Sequence, residues 1–431
     1  MKKTVNVSPV LEDVRYEIRG ALANRAQELE RQGYEITKLN IGNPGQFGFR
    51  TPETMRLAMI ENLRASEAYC HQKGIFPARE AVVMQQQDRG VEGVTAEHVF
   101  IGNGVSELID LTLRALLAPG DEVLVPAPDY PLWTAATLLN GGVVRHYPCR
   151  PDEAFIPDVD AIEALITPKT RALVVINPNN PTGAVYPVAV LDAMVALAER
   201  HNLVILSDEI YDQMLYDDVV HVPLATRVDQ GVCITFSGLS KVYRACGYRV
   251  GWAVVSGDLE AAADYLHALE LLASLRLCAN VPAQWAVQTA LGGYQSITEL
   301  TRPPGRLHAS RAAVIDAVAD SPFLKLVVPQ GAMYAFVGVD TDRLPAFNDY
   351  AFALDLLEHQ HVLVAPGGSF NVPYSDHFRI TLLPRANSLH QIFGRINAQL
   401  ESLAQKDPSL VSVTSSSHDV TNPSVTKKAQ D

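Results

Sequence analysis

The sequence predicts an α/β fold built on a mostly parallel sheet that helices cover on both faces. Between about residues 98 and 300, short apolar runs of strand length alternate with stretches of helical periodicity. This alternation is typical of parallel strands joined by crossover helices. The pattern changes after Pro303-Pro304-Gly305, where one helix precedes four further apolar runs. We therefore expect a smaller α+β unit in the C-terminal part of the chain.

The first predicted element is an amphipathic helix that follows Ser8-Pro9, a cap and a first-turn proline. Its apolar residues recur at helical spacing: Leu11, Val14, Ile18, Leu22 and Leu29. A short apolar run, Lys38–Ile41, comes next. The strands of the main sheet are then predicted at Val99–Ile101, Glu122–Val125, Val143–Tyr147, Ala172–Ile176, Leu203–Ser207, Cys233–Phe236 and Tyr248–Val255. Helices are predicted between several of them, as at Ser106–Leu117 and Val188–His201.

The smaller unit is predicted from a helix around Arg311–Ala319 and the apolar runs that follow it. These runs are Leu324–Val328, Met333–Val337, His361–Val364 and Phe378–Leu382. The last 26 residues, 406–431, are rich in Ser, Thr and Val without a sustained period. We expect this stretch to be a disordered tail.

Composition narrows the class of protein. With 35 basic and 48 acidic residues the formal net charge is −13, which argues against nucleic acid or an anionic membrane surface as the main partner. The longest apolar stretches are strand-sized, so we expect no membrane span and no signal peptide. The five cysteines are scattered without a CxxC pair, which predicts reduced thiols, a cytoplasmic protein and no thiolate metal site. We expect no metal at His359 and His361 either, because no carboxylates join them.

Residues that can carry chemistry follow the predicted strands, where open α/β sheets bind ligands. The first strand ends in the glycine-rich turn Gly102–Ser106, whose free N–H groups at a helix start can hold a phosphate. Glu107 or Leu108 stands where a dinucleotide fingerprint needs a third glycine, so one phosphate fits better than a pyrophosphate. Taken alone, this turn is as compatible with a structural role as with a functional one.

Three further strand ends carry polar motifs. They are Asn177-Pro178-Asn179-Asn180-Pro181-Thr182-Gly183, Asp208-Glu209-Ile210-Tyr211, and Ser237-Gly238-Leu239-Ser240-Lys241 with Arg249 eight residues on. Separately, each has an ordinary interpretation as a rigid turn, a helix cap or a solvated lysine. A lysine flanked by small residues at a strand end is, however, a good candidate for a buried amine nucleophile.

In this order and spacing, the three motifs together resemble those of the pyridoxal-phosphate-dependent class I/II aminotransferases of fold type I. The resemblance covers about residues 8–403. Three further segments most resemble the bacterial glutamate–pyruvate (alanine) aminotransferases: Leu39–Pro44, Pro126–Trp133 and Arg276–Gln284. The resemblance implies a homodimer that binds pyridoxal 5'-phosphate and exchanges amino groups between L-alanine/pyruvate and L-glutamate/2-oxoglutarate. A different amino donor, or a carbon–sulfur β-lyase on the same scaffold, remains an alternative.

The resemblance also implies roles for individual residues around the cofactor ring. Lys241 would bind the cofactor covalently and move the Cα proton of the substrate. Asp208 would pair with the ring nitrogen, while Tyr211 and Asn180 would bind the phenolic oxygen. Tyr130 would stack on the ring.

The phosphate is expected on backbone N–H groups and a few side chains. By resemblance these are Gly104, Val105, Ser106, Ser240, Arg249 and, from the neighbouring subunit, Tyr69. Many relatives place the phosphate serine where this chain has Gly238, so either Ser237 or Ser240 must replace it. Ser240 is the one that we favour.

The substrate carboxylates need their own partners. The resemblance assigns the α-carboxylate to Arg379, with Gly42 and Asn180 in contact, because a guanidinium matches two carboxylate oxygens. For the γ-carboxylate of glutamate our hypothesis is Arg19, with Arg276 as the second choice. Arg19 is equally compatible with a solvated helix position.

The expected division of the chain follows from these boundaries. Residues 1–45 form an N-terminal segment that packs with the small domain, and residues 46–303 form the large cofactor-binding domain. Residues 304–405 form the small C-terminal domain and residues 406–431 the tail.

Overall fold

The computed structural model describes residues 5–12, 14 and 20–406, without the side chain of Lys406. Its strands are β1 Thr37–Lys38, β2 Val99–Gly102, β3 Glu122–Ala127, β4 Val143–Pro148, β5 Thr170–Ile176, β6 Val204–Asp208, β7 Val232–Gly238, β8 Gly251–Gly257, β9 Leu324–Leu326, β10 Tyr334–Val339, β11 Val362–Leu363, β12 Ala365–Pro366 and β13 His377–Thr381.

The described chain contains thirteen α-helices. They are α1 Ala21–Arg31, α2 Glu53–Glu61, α3 Phe76–Asp88, α4 Val105–Leu116, α5 Leu132–Leu139, α6 Val159–Ala164, α7 Val188–Arg200, α8 Ala263–Leu275, α9 Val281–Gly292, α10 Ile297–Thr301, α11 Arg306–Ala319, α12 Asp349–Gln360 and α13 Ala386–Lys406. No helix in the described part of the chain is both long and apolar enough to cross a membrane.

The large sheet has seven strands in the order β2-β8-β7-β6-β5-β3-β4. From β4 to β7 every neighbouring pair is parallel, whereas β8 is antiparallel to both β7 and β2. Successive residues of one strand point to opposite faces of the sheet and pack in different hydrophobic cores, as Val174 and Val175 do in β5. Helices α4 and α8 cover one face and α3, α7 and α9 the other. This arrangement explains why these strands read as continuous apolar runs.

The smaller unit contains an antiparallel sheet in the order β12-β13-β10-β9. The N-terminal segment reaches this unit in two places. Strand β1 pairs with β11 in parallel, and Arg25 on α1 forms a 2.5 Å ion pair with Glu358 on α12. The chain then runs from the small unit, where the backbone N–H of Thr381 donates to the backbone oxygen of Leu39, to the large domain, where Lys241 donates to that of Gly42. The exact division of the chain into segments stays a prediction.

Two predicted elements differ from the structure. Tyr248, expected to begin the last strand of the main sheet, lies in the 3-10 helix Cys246–Tyr248, and β8 begins only at Gly251. Leu11, expected in an α-helix, lies in the 3-10 helix Pro9–Glu12. Residues 13 and 15–19, and the predicted tail beyond residue 406, lie outside the described residues.

Candidate active site

A cavity of about 660 Å³ lies at the carboxyl ends of the parallel strands. Most of the residues predicted from the motifs line it: Gly42, Val105, Ser106, Tyr130, Asn180, Asp208, Tyr211, Ser240, Lys241, Arg249 and Arg379. They come from the segments after β1, β2, β3, β5 and β7, from the end of β6 and the turn that follows it, and from β13. The topology thus gathers side chains from across more than 300 residues of sequence in one place.

Asp208 is the last residue of β6 and only 3% exposed. One of its carboxylate oxygens accepts a 3.1 Å hydrogen bond from Nε1 of Trp133, and the other accepts the backbone N–H of Ile210 at 3.4 Å. Burial raises the pKa of Asp208 to about 6, since these hydrogen bonds only partly compensate for lost solvation. A buried carboxylate of this kind favours a cationic or proton-donating partner in the cavity.

Lys241 follows β7 after a turn of small residues. Its Nζ donates a 2.9 Å hydrogen bond to the carbonyl oxygen of Gly42, which comes from the N-terminal segment. A Cβ at residue 42 would overlap the side chains of Tyr334 and Met333, so only glycine fits there. The amine and this backbone segment therefore approach each other at the cavity wall.

An anion site is formed where helix α4 begins. Gly104 precedes the helix with φ +87°, and a Cβ on it would overlap the guanidinium of Arg249. Arg249 donates to the backbone oxygens of Asn103 and Cys246 at 3.2 and 3.1 Å. The helix N-terminus and this guanidinium present positive charge to the same end of the cavity.

The two candidate serines occupy different positions in this structure. Ser240 lines the cavity, whereas Ser237 is buried within β7. The structure thus keeps Ser240 available to a bound group.

Arg379 is a buried cation on β13, 1% exposed. Its Nη1 donates to Oδ1 of Asn180 at 2.9 Å, and its Nη2 donates to the backbone oxygen of Asn40. The guanidinium lies over the rings of Tyr334 and Phe370, at 4.2 and 4.7 Å from their centroids. These neutral contacts orient a fixed positive fork towards the cavity, where it can bind a carboxylate.

Two tyrosines meet inside the site. The hydroxyl of Tyr211 donates to that of Tyr334 at 3.2 Å. Burial raises the pKa of Tyr211 above its ordinary value. Burial also opposes ionisation of Tyr334, but the cations of Lys241 and Arg379 outweigh it and hold the pKa of this phenol below its ordinary value. Because its ionised form is favoured, the hydroxyl oxygen of Tyr334 accepts the hydrogen bond that the hydroxyl of Tyr211 donates.

Some predicted residues are not brought into this cavity. Tyr69 is 77% exposed and is not among the residues that line it. Arg276, the second choice for the γ-carboxylate, forms a 3.3 Å ion pair with Glu107 and donates to the backbone oxygen of Ile101 at 2.8 Å. Arg19, the first choice, lies outside the described residues.

Sequence reasoning missed Tyr334 and the contact of Trp133 with Asp208. Both side chains belong to segments that the sequence singles out: Tyr334 lies in the apolar run Met333–Val337, and Trp133 ends the segment Pro126–Trp133. Tyr334 stands at the start of β10, which pairs with the strand of Arg379. Without knowledge of that pairing, a tyrosine at the start of a strand is only weak evidence for a residue of the active site.

Comparison with known proteins agrees with this geometry. Residues 34–395 match the family model for class I and II aminotransferases. The glutamate–pyruvate aminotransferase AlaA of Escherichia coli K12 is 49% identical over 385 residues, which are 89% of this chain and 95% of the relative. An alanine aminotransferase of Mycobacterium tuberculosis is 46% identical over 399 residues, 92% of this chain and 93% of the relative.

A solved structure gives the same answer for the fold. The crystal structure of an aminotransferase from Escherichia coli superposes with a TM-score of 0.91 at 47% identity, covering 93% of this chain and 99% of that one. The predicted α/β fold and the predicted enzyme family are confirmed, while the roles of single residues stay predictions. By sequence over residues 34–395 and by fold over nearly its whole described length, the chain belongs to the class I and II aminotransferases.

Proposed function

We propose that this aminotransferase uses pyridoxal 5'-phosphate to exchange an amino group between L-alanine/pyruvate and L-glutamate/2-oxoglutarate by a ping-pong reaction. The observation that carries the proposal is that Lys241, Asp208 and Arg379 face one cavity. An amine, a buried carboxylate and a buried guanidinium are what amino-group transfer from an α-amino acid requires. The substrate pair is supported by the names of relatives at 46–49% identity.

The residues present fit the cofactor at each of its polar ends. Lys241 offers an amine to the aldehyde, and Asp208 offers a buried carboxylate to the ring nitrogen. The phosphate could be bound by the backbone N–H groups of Val105 and Ser106 at the start of α4. The guanidinium of Arg249, next to Gly104, could bind it as well. Ser240 is the serine that we assign to the phosphate, because it lines the cavity.

When bound, pyridoxal phosphate supplies a conjugated ring that accepts the electron pair left at the substrate Cα. Asp208 would hold the proton of the ring nitrogen, which would make the ring a better electron acceptor. Nζ of Lys241 would take the Cα proton of the first substrate and pass it on to the cofactor, and in the reverse half of the exchange it would deliver a proton to Cα of the second substrate. Tyr211 and Asn180 would bind the phenolic oxygen, and Tyr130 would cover one face of the ring.

Arg379 binds the α-carboxylate that all the substrates share. Its contacts with Asn180 and with the ring of Tyr334 set the direction of the guanidinium before the substrate arrives. Gly42 gives the carboxylate a close backbone neighbour, since no side chain fits at that position.

We also propose that the enzyme is a cytoplasmic homodimer. Its five cysteines are free thiols, as expected in a reducing compartment. Large apolar side chains are exposed on and after α2 and α8: Leu57, Ile60, Leu63, Leu271, Leu275 and Leu277. A second copy of the chain would cover such a surface, and Tyr69 would then reach the cofactor phosphate of that second copy.

The test uses the purified protein with its bound cofactor. L-alanine alone should abolish the visible absorption of the bound cofactor and release pyruvate, and 2-oxoglutarate should restore the absorption. Borohydride reduction followed by peptide mapping should label Lys241, and Lys241→Ala should lose nearly all turnover. Lys38→Ala, which breaks a surface ion pair with Glu30, is the matched control.

Two outcomes would contradict the proposal. A label on any lysine other than Lys241 would overturn the assignment of the nucleophile. Continuous release of pyruvate and ammonia without an amino acceptor would identify a lyase instead.

A further inference from the structure

A buried carboxyl joins the large domain to the small unit beside the active site. Asp129 lies in the loop between β3 and α5 and is fully buried. Its Oδ1 accepts a 2.9 Å hydrogen bond from the side-chain amide of Asn371, which belongs to the small unit. Its backbone N–H donates to the backbone oxygen of Phe370 at 3.1 Å. One residue of the large domain therefore binds two consecutive residues of the small unit.

The other carboxyl oxygen of Asp129 is bound within the large domain. Oδ2 accepts a 2.6 Å hydrogen bond from the hydroxyl of Thr134 on α5. The same hydroxyl lies 3.0 Å from Nε2 of His146 on β4 and 3.3 Å from the amide nitrogen of Asn371. A carboxyl suits this position because each of its two oxygens can accept a hydrogen bond. Asp129 is thus fixed to its own domain by one oxygen and holds the small unit with the other.

The residue that Asp129 holds is in contact with the guanidinium expected to bind the substrate carboxylate. Phe370 is fully buried and ends the short 3-10 helix Gly367–Phe370. The centroid of its ring is 4.7 Å from the guanidinium carbon of Arg379. Pairing of β13 with β10 and β12 fixes the backbone of Arg379. The direction of the guanidinium then depends on the side chains that it packs against.

Phe370 lies outside the small sheet, so the contacts of its turn decide where the ring sits. The turn follows β12 directly and ends at Asn371, which has φ +58°. Within the small unit the ring packs edge-on against Phe336 of β10, with the centroids 5.7 Å apart. From the large domain, Asp129 holds the turn, and the next residue, Tyr130, lines the active-site cavity.

We propose that Asp129 is a positioning residue that holds Phe370 against the guanidinium of Arg379 and thereby sets the direction in which this guanidinium meets the substrate. Asp129 is not among the residues that line the active-site cavity, so it acts through Phe370. The inference rests on the proposed function, because it requires Arg379 to bind the substrate α-carboxylate.

The main test compares two reagents that attack the bound cofactor and differ in a carboxylate. Aminooxyacetate carries the carboxylate that Arg379 would bind, and methoxyamine lacks it. Both should abolish the visible absorption of the cofactor in the holoenzyme, at rates that stopped-flow measures. Asp129→Ala should slow the reaction of aminooxyacetate about tenfold, which corresponds to one lost hydrogen bond, and that of methoxyamine less than about twofold.

A double-mutant cycle tests the route of the effect. Phe370→Leu keeps an apolar side chain but removes the ring from the guanidinium, so it should also slow aminooxyacetate selectively. If Asp129 acts through Phe370, Asp129→Ala should have less than about a twofold effect in the Phe370→Leu background. Tyr216→Phe is the matched control, because the hydroxyl of Tyr216 also joins the two units, donating to the backbone oxygen of Ala332 at 2.9 Å. It should leave the ratio of the two reagent rates unchanged.

Hydrogen exchange gives a readout that needs no cofactor. In the cofactor-free protein, Asp129→Ala should speed exchange of the backbone amides at residues 368–371 about tenfold, because their turn loses its side-chain contact with the large domain. Tyr216→Phe should leave the exchange of these amides unchanged.

Three results would overturn the proposal: equal slowing of both reagents, additive effects of Asp129→Ala and Phe370→Leu, or unchanged exchange at residues 368–371. If Asp129→Ala does not fold, Asn371→Gly removes the same side-chain hydrogen bond and tolerates φ +58°. The ratio of the two reagent rates in Asn371→Gly then decides. A wild-type protein that binds no cofactor would instead refute the proposed function, and the exchange measurement would still decide whether Asp129 holds the turn.

Discussion

The indole of Trp133 donates a 3.1 Å hydrogen bond to the carboxylate of Asp208, and both side chains are buried. This contact is the strongest factor that favours the ionised form of Asp208 against the effect of burial. It joins the start of α5 to the end of β6. Trp133 thus both fills the core of the large domain and orients the carboxylate.

Trp133→Phe should weaken cofactor binding and lower stability. Without the N–H, the ionised form of Asp208 loses support, so its pKa in the cofactor-free protein should rise above about 6. The free energy of unfolding should fall by about 1–3 kcal/mol. Fluorescence titration with pyridoxal phosphate and urea unfolding measure the two effects.

Trp285→Phe is the control for that variant. The indole of Trp285 donates a 3.1 Å hydrogen bond to the hydroxyl of Ser66, away from Asp208. Its loss should lower stability but leave the cofactor dissociation constant unchanged. Equal loss of cofactor affinity in both variants would show that Trp133 acts only through folding.

The sequence predicts most strands of the large sheet because they are runs of apolar residues buried on both faces, as β5 is, whereas the edge strand β4 is partly exposed. It also predicts which motifs meet, because parallel strands share one carboxyl edge. The contact of Trp133 with Asp208 and that of Tyr211 with Tyr334 join residues 75 and 123 positions apart. Such contacts depend on the packing of helix on sheet and of small unit on large unit, which local patterns do not specify.

Asp129 should make the cofactor-free protein less stable as pH rises. Burial raises the pKa of Asp129 from an ordinary 3.8 to about 7, despite hydrogen bonds from Thr134 and Asn371. Between these values the folded protein keeps a proton that the unfolded chain has released, so folding stability falls with rising pH in this window. The stability of Asp129→Asn relative to wild type should therefore increase from pH 4 to about 7.

Urea unfolding at a series of pH values measures this difference. Asp340→Asn is a control of opposite sign, because the hydrogen bond from Lys325 holds the pKa of Asp340 below its ordinary value. Its stability relative to wild type should decrease only as pH rises towards the ordinary value of 3.8, and it should stay constant from pH 4 to about 7, where Asp340 is ionised in both states. A pH-independent difference for Asp129→Asn would show that this carboxyl is not the one that titrates.

Arg379→Lys should weaken binding of all substrates to a similar extent, by roughly 2–4 kcal/mol for a lost bidentate charged pair. Lysine keeps the charge but loses the planar fork and the stacking on Tyr334. The kcat/KM values for alanine, glutamate and both oxo acids measure the loss. Arg311→Lys is the control, since Arg311 is also buried and lies over the ring of Tyr216. It should lower stability without changing kcat/KM.

Tyr69 should serve the active site of the opposite subunit. The mixed dimer to prepare combines a Tyr69→Phe subunit with a Lys241→Ala subunit. If Tyr69 crosses the interface, one site of this dimer is intact and the other carries both defects. The mixed dimer should then keep about half of the wild-type turnover per dimer, since its sites work independently. Turnover near half that of the Tyr69→Phe homodimer would place Tyr69 in its own subunit, and a fully active monomer in light scattering would exclude the dimer.

The remaining question is how one pocket accepts both alanine and glutamate. The γ-carboxylate of glutamate needs a cation that water can satisfy when alanine is bound, and Arg276 is already paired with Glu107. Arg19 is therefore our first choice, because it precedes α1 in the segment that leads to Gly42. Arg19→Ala should raise KM for glutamate and 2-oxoglutarate by at least about tenfold, the usual size for one lost charged hydrogen bond, and leave alanine and pyruvate nearly unchanged. Arg276→Ala is the comparison, and it should affect both pairs equally through stability. An equal effect of Arg19→Ala on both pairs, or none on either, would remove Arg19 from the site.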